Sequence, residues 1–128
     1  MKEYKIYVAD VEATGLLHQL VEQCDKAKLH NLCVMDIEDC NMQTFHTDTE
    51  EQRKEIQALL DKPTIFIMHN GICYDKNALK HFGYDVSKVL FVDTLALSWY
   101  LDLNRDKHGL ENYGEEFGVP NYRDWETS

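Results

Sequence analysis

Pro63-Thr64-Ile65-Phe66-Ile67-Met68-His69-Asn70-Gly71-Ile72-Cys73-Tyr74-Asp75 is the stretch on which the fold turns. Residues 64–68 are a near-continuous apolar run between a proline and an Asn-Gly pair, as a strand covered on both faces requires. Asn70-Gly71 supplies a turn, and residues 75–82 read as a short helix closed by Gly83. Upstream, residues 49–61 are polar except for Ile56, Leu59 and Leu60 on one helical face. Thr49 stands at the N-cap with Gln52 at the capping-box position, and Pro63 ends that helix. Further upstream, β-branched and aromatic residues mark strands at 4–9, 29–36 and 42–46. The short polar link 37–41 fits a hairpin, so these three strands form an antiparallel meander. Downstream, residues 89–92 make a fifth strand and Asp93 can cap a helix over 94–101. A last helix over about 110–117 stops at Gly118, with Pro120 just beyond. The order β-β-β-α-β-α-β-α-α predicts an α/β domain: a mixed sheet of about five strands, three antiparallel and then parallel, flanked by helices.

Composition narrows the function. The chain has 128 residues, enough for a single domain spanning 1–128, with 44% hydrophobic residues. Asp and Glu number 23 against 13 Lys and Arg, a net charge of −10, which repels bare phosphate backbones and anionic membranes. A simple electrostatic nucleic-acid binder has a basic footprint instead. No apolar run approaches the ~20 residues of a membrane helix. No apolar segment follows the first five residues, so no signal peptide is expected. The expectation is a soluble, cytoplasmic domain with no membrane partner. Cys24, Cys33, Cys40 and Cys73 form no CxxC pair. His30 and Cys33 have no second pair at zinc spacing, so ordinary thiols are expected.

Asp10 and Glu12 stand at the end of the first strand, in Asp10-Val11-Glu12-Ala13-Thr14-Gly15-Leu16. Strand alternation projects both carboxylates from one face. Two adjacent anions raise each other's pKa, a cost that a divalent cation between them removes. Mg²⁺ takes one or two carboxylates plus water and phosphate oxygens, which suits such a pair. Two solvated carboxylates at a strand end are the plainer alternative. Asp75 arrives directly after the most apolar strand, where ligands bind at strand ends. It reads either as a third acid for that cluster or as a helix N-terminal acid complementing the dipole.

Taken in order, Asp10-x-Glu12-x-Thr14-Gly15-Leu16, His69-Asn70-Gly71-x-x-Tyr74-Asp75, Asp93-Thr94-Leu95 and His108-x-Leu110-Glu111-x-x-Gly114 resemble the DEDD superfamily of 3′–5′ exonucleases. The chain is most similar to the proofreading domain of phage-type family A DNA polymerases. The resemblance implies a ribonuclease-H-like fold and two-metal hydrolysis of phosphodiester bonds at a single-stranded 3′ end of DNA. It assigns Asp10, Glu12 and Asp75 as catalytic and metal-binding, with two Mg²⁺ or Mn²⁺ ions. Thr14, Gly15 and Leu16 would touch the terminal nucleotide, Leu16 as a wedge beside the last base. Asn70 and Tyr74 would contact the strand being degraded. Asp93 and His108 match structural positions, a helix cap and a turn or cap. A phage-encoded chain of this kind would act in the host cell cytoplasm.

The family carries a fourth acid on a last helix, in a Tyr-x-x-x-Asp or His-x-x-x-x-Asp motif. Tyr122-Arg123-Asp124 lacks that spacing, so the chain is expected to lack the C-terminal helix. Either a second polypeptide, such as a DNA polymerase, supplies helix and acid, or the chain is a shortened form. An uncovered sheet face also invites self-association. The alternative function is a catalytically incomplete module of this fold that serves as an interaction subunit.

Overall fold

The computed structural model describes residues 3–13 and 28–119. The chain divides into two compact units, Met1–Asp93 and Thr94–Ser128. Among the described residues the first unit holds a five-stranded sheet in the order β3-β2-β1-β4-β5. Its strands are β1 (Lys5–Ala13), β2 (Leu29–Asp36), β3 (Met42–His46), β4 (Thr64–Met68) and β5 (Val89–Asp93). Helix α1 (Glu50–Leu60) precedes β4, and a π-helical turn (Gly71–Asp75) running into α2 (Lys76–His81) follows it. β1, β2 and β3 pair antiparallel, whereas β4 and β5 run parallel to β1. The predicted mixed α/β sheet is therefore present, with the meander at one side and the parallel pair at the other.

Strand alternation sorts the side chains. Ala9, Val11, Leu32, Val34, Phe66, Met68 and Val89 line the core, where Ile56 and Leu60 of α1 and Ala78 and Leu79 of α2 join them. Across β1, β4 and β5 the rings of Tyr7, Phe66 and Phe91 stack edge to face at 6.2 and 6.0 Å. Such pairs add about 0.5–1.5 kcal/mol each beyond burial. Thr64 is fully buried, and its hydroxyl donates to the Lys62 and Leu59 carbonyls at 2.9 and 3.3 Å. A polar side chain can occupy the start of β4 because its hydrogen bonds are made locally. β4 is less evenly covered than its run of apolar residues predicts: Thr64, Phe66 and Met68 are buried, whereas Ile65 and Ile67 are half-buried.

α1 begins as its spacing predicts. The Thr49 hydroxyl accepts the Gln52 N–H at 3.1 Å, and the Gln52 side chain accepts the Thr49 N–H at 3.0 Å. β1 differs from expectation. It runs on through Ala13, because β2 continues to pair with it up to Leu29, with a bulge between Glu12 and Ala13. Asp10 and Glu12 thus sit within a paired strand and not beyond its end. The helix expected over 75–82 is also different: its first part is the wider π-helical turn, and regular α-helix starts only at Lys76.

The second unit contains α3 (Thr94–Leu101) and α4 (Leu110–Phe117). α4 ends at Gly118 in the left-handed conformation (φ 73°), as the sequence predicts. Its N-cap is Gly109, so His108 does not cap it. Instead the His108 ring is buried, stacked on Trp99 at 3.8 Å, with Nδ1 2.6 Å from Ser98 Oγ. Ser98 Oγ also bonds the Tyr113 hydroxyl. Arg105 lies over the Tyr113 ring at 3.9 Å and pairs with Glu116 at 2.6 Å. No helix among the described residues is long and apolar enough to cross a membrane.

Candidate functional site

The site forms where β1 outruns its parallel neighbour. β4 pairs with β1 only from Lys5 to Val8, so the β4 side of β1 is open further along. The chain leaves β4 at His69, turns at Asn70 and comes back through the π-helical turn. Asp75 then reaches β1, and its Oδ2 accepts the Val11 N–H at 3.0 Å. Val11 faces the core, so Asp10 and Glu12 on either side of it alternate to the opposite face. The carboxylate of Asp75, only 4% exposed, is bonded to the backbone between the two other acids. It does not cap its own helix, since Asp75 makes no side-chain cap bond to α2.

The turn that delivers Asp75 is held from β5. Asn70 adopts φ 64°, a conformation that Asn tolerates better than most residues. Its N–H donates to Asp93 Oδ1 at 2.9 Å, and the Ile72 N–H donates to Asp93 Oδ2 at 3.2 Å. The Asn70 carbonyl accepts the Tyr74 N–H at 3.0 Å, and Asn77 Nδ2 donates to the Ile72 carbonyl at 3.3 Å. On β2, Asn31 stands opposite Glu12 and donates from Nδ2 to its Oε2 at 3.1 Å. That bond aims the Glu12 carboxylate along the sheet.

Burial and mutual repulsion perturb these acids. Burial pushes the Asp75 carboxyl up to about 7, and the charges of Asp10 and Asp93 push the same way against the Val11 N–H, which favours the anion. Partial desolvation also raises Asp10, with a further contribution from Glu12. The Tyr74 phenol is raised by burial and then by the charges of Asp75 and Asp10. It therefore stays a hydrogen-bond donor through neutral pH. The arrangement stores unfavourable negative charge that a bound cation relieves.

All the donors here are oxygens, which suits a hard divalent cation. Among the described residues no three His, Cys, Asp or Glu side chains converge as a ready-made cage. A cation would draw on one or two carboxylates and complete its shell with water or substrate oxygens, which is how Mg²⁺ is commonly held.

Of the residues singled out from the sequence, the structure brings Asp10, Glu12, Asp75, Asn70 and Tyr74 to one region of the sheet. Thr14, Gly15 and Leu16 lie outside the described residues, as do Cys24 and residues 122–124. Asp93, expected as a structural helix cap, also anchors the Asn70–Ile72 backbone, a role that the register Met68↔Asp93 between β4 and β5 makes possible. Asn31 orients Glu12, and correct hairpin register between β1 and β2 is the signal that would have exposed it. Compared with protein-family models and with curated protein sequences, the chain matches none at a significant level.

Proposed function

We propose that this chain is a metal-dependent 3′–5′ exonuclease domain of ribonuclease-H-like fold, acting on the single-stranded 3′ end of DNA. The observation that carries the reading is the Asp75–Val11 bond, which brings a third, buried carboxyl to the backbone between Asp10 and Glu12. The ordered motifs around these acids, and a sheet whose antiparallel meander adjoins two parallel strands, support the same reading.

In this reading Asp10 and Glu12 would hold Mg²⁺ or Mn²⁺ from the exposed face of β1, with Asp75 completing the negative field behind them. Such ions, when bound, would supply Lewis acidity for phosphodiester hydrolysis. Asn31 fixes the rotamer of Glu12, so the carboxylate is oriented before substrate arrives. Tyr74, kept protonated, donates a hydrogen bond toward a phosphate oxygen. Asn70 meets the departing strand at the lip of the turn. With a net charge of −10 the domain gains little from long-range attraction to DNA. A basic partner such as a polymerase DNA channel would deliver the strand.

The test is degradation of a 5′-labelled single-stranded DNA with Mg²⁺, Mn²⁺ or EDTA. The expected result is a ladder shortened from the 3′ end, lost in EDTA and in Asp10→Ala. A ladder that persists unchanged in folded Asp10→Ala overturns the assignment.

A further inference from the structure

Away from the acids, the first unit has a cleft of about 200 Å³ lined by Lys28, Leu29, Thr47, Arg53, Phe82 and Tyr84. Its walls are flat and apolar: Leu29 is buried, and Phe82 and Tyr84 are half-buried. Its rim is cationic, since Lys28 and Arg53 are exposed. The rim is locally basic although the chain carries a net charge of −10. Leu29 belongs to the core face of the sheet, whereas Asp10 and Glu12 alternate to the other face. The cleft is thus distinct from the acidic site.

Two observations say that its cationic groups are available. The Arg53 guanidinium makes one hydrogen bond among the described residues, from Nη1 to the Thr47 carbonyl at 3.0 Å. Its remaining donors form a fork suited to phosphate oxygens. Lys28 pairs with Asp48 only loosely, at 3.4 Å with both side chains in water, and such pairs exchange readily for a better anion. The Thr47 hydroxyl, by contrast, is committed to the Leu29 carbonyl.

We propose that this cleft binds a nucleoside monophosphate, its base between the Leu29, Phe82 and Tyr84 walls and its phosphate against Lys28 and Arg53. The cleft is smaller than the roughly 300–1,000 Å³ of pockets that enclose a whole drug-sized ligand. It therefore holds the flat end of the molecule, and the phosphate stays at the rim. The base–aromatic contact is tolerant of base identity, because every base offers a π face.

Titration calorimetry of the full chain in EDTA at low salt tests this, with 5′-deoxyadenylate, deoxyadenosine and inorganic phosphate as probes. In EDTA the acidic site carries no cation and repels phosphate, so the result does not depend on nuclease activity. The expected result is saturable one-to-one binding of 5′-deoxyadenylate, with either fragment weaker by about tenfold or more, since each keeps only half of the contacts. Lys28→Gln and Arg53→Gln should each weaken binding by about fivefold to tenfold. Tyr84→Phe, which keeps the aromatic wall, should bind the nucleotide as tightly as the parent. Absence of binding at millimolar nucleotide overturns the proposal, as does affinity undiminished in both Lys28→Gln and Arg53→Gln. Phosphate binding as tightly as the nucleotide would reduce the cleft to a bare anion site. Binding lost in Asp10→Ala but kept in Arg53→Gln would move the nucleotide to the acidic site.

Discussion

Asp75 Oδ2 lies 3.0 Å from the backbone nitrogen of Val11, across a sequence separation of 64 residues. One buried carboxylate thereby satisfies the open edge of β1 and sets a third negative charge beside Asp10 and Glu12. The two tasks make different demands, because the edge needs only an acceptor whereas a cation needs charge. Asp75→Asn separates them. It should keep an acceptor for Val11, raise the thermal midpoint in EDTA at pH 8, and abolish the Mg²⁺-dependent increase in that midpoint. A Mg²⁺ response as large as the parent's would remove Asp75 from the cation site.

The pH dependence of stability has a defined sign. An acid whose folded pKa is raised holds its proton more tightly when folded, so its charged form destabilises the fold. For Asp75 the penalty is absent well below 3.8, grows as pH rises from 3.8 towards about 7, and is complete above that. Asp10 contributes in the same direction. The carboxyls of Asp36 and Asp85 are lowered and act oppositely, losing their stabilisation only as pH falls through the acidic range. Urea unfolding in EDTA should therefore show lower stability at pH 7.5 than at pH 5, by a few kcal/mol at most, since each pKa unit is worth about 1.4 kcal/mol. Added Mg²⁺ should shrink the difference. Equal midpoints at both pH values in EDTA would contradict the buried, charged placement of Asp75.

Asp93 is a positioning residue for the turn. Asp93→Ala leaves the Asn70 and Ile72 N–H groups without their acceptor, at a cost of about 1–3 kcal/mol for each group that water cannot reach. Amide exchange at Asn70 and Ile72 should accelerate well beyond that of β2, and the proposed nuclease activity should fall by about ten- to a hundredfold, the range typical of lost supporting contacts. Asp93→Asn, which retains an acceptor oxygen, should recover part of both. Unchanged exchange at Asn70 and Ile72 would show that the turn does not depend on Asp93.

Thr49→Ala serves as a purely structural control. Loss of the N-cap hydroxyl should destabilise the chain by about 1 kcal/mol, read as a lower urea midpoint with an unchanged slope. Nucleic-acid chemistry should be unaffected, because Thr49 belongs to the start of α1 and touches none of the acids.

The difference between Thr49 and Asp93 also shows what can be read from a sequence. The capping box depends on residues three positions apart, so Thr49 and Gln52 reveal it without any tertiary knowledge. β4 is equally legible, since Pro63 and Asn70-Gly71 punctuate an apolar run and leave little freedom in its bounds. The candidate acids were visible as a pattern, but their geometry was not. Asp10-Val11-Glu12 resembles a strand terminus by composition, and only pairing with β2 keeps it extended. The Asp93 bonds depend on a parallel register between β4 and β5 that no local signal encodes. His108 misleads for a related reason: its position before α4 suggests capping, whereas stacking on Trp99 and the bond to Ser98 bury its ring.

The central place of β1 has a consequence for how the protein comes into being on the ribosome. Of the five described strands β1 is made first, yet it is bordered by β2 on one side and by β4 on the other. The hairpin side can close early, because β2 and β3 follow soon and their contacts are comparatively local. The other edge stays bare until Thr64–Met68 has emerged, and its far end waits for Asp75. Asp75 in turn is fixed only after Asp93 has been synthesised to hold the turn. Long-range closure of this kind is the slow part of folding, and an exposed strand edge is a template for unwanted pairing. Charged side chains on an exposed strand disfavour such pairing, and the waiting strand carries two, Asp10 and Glu12.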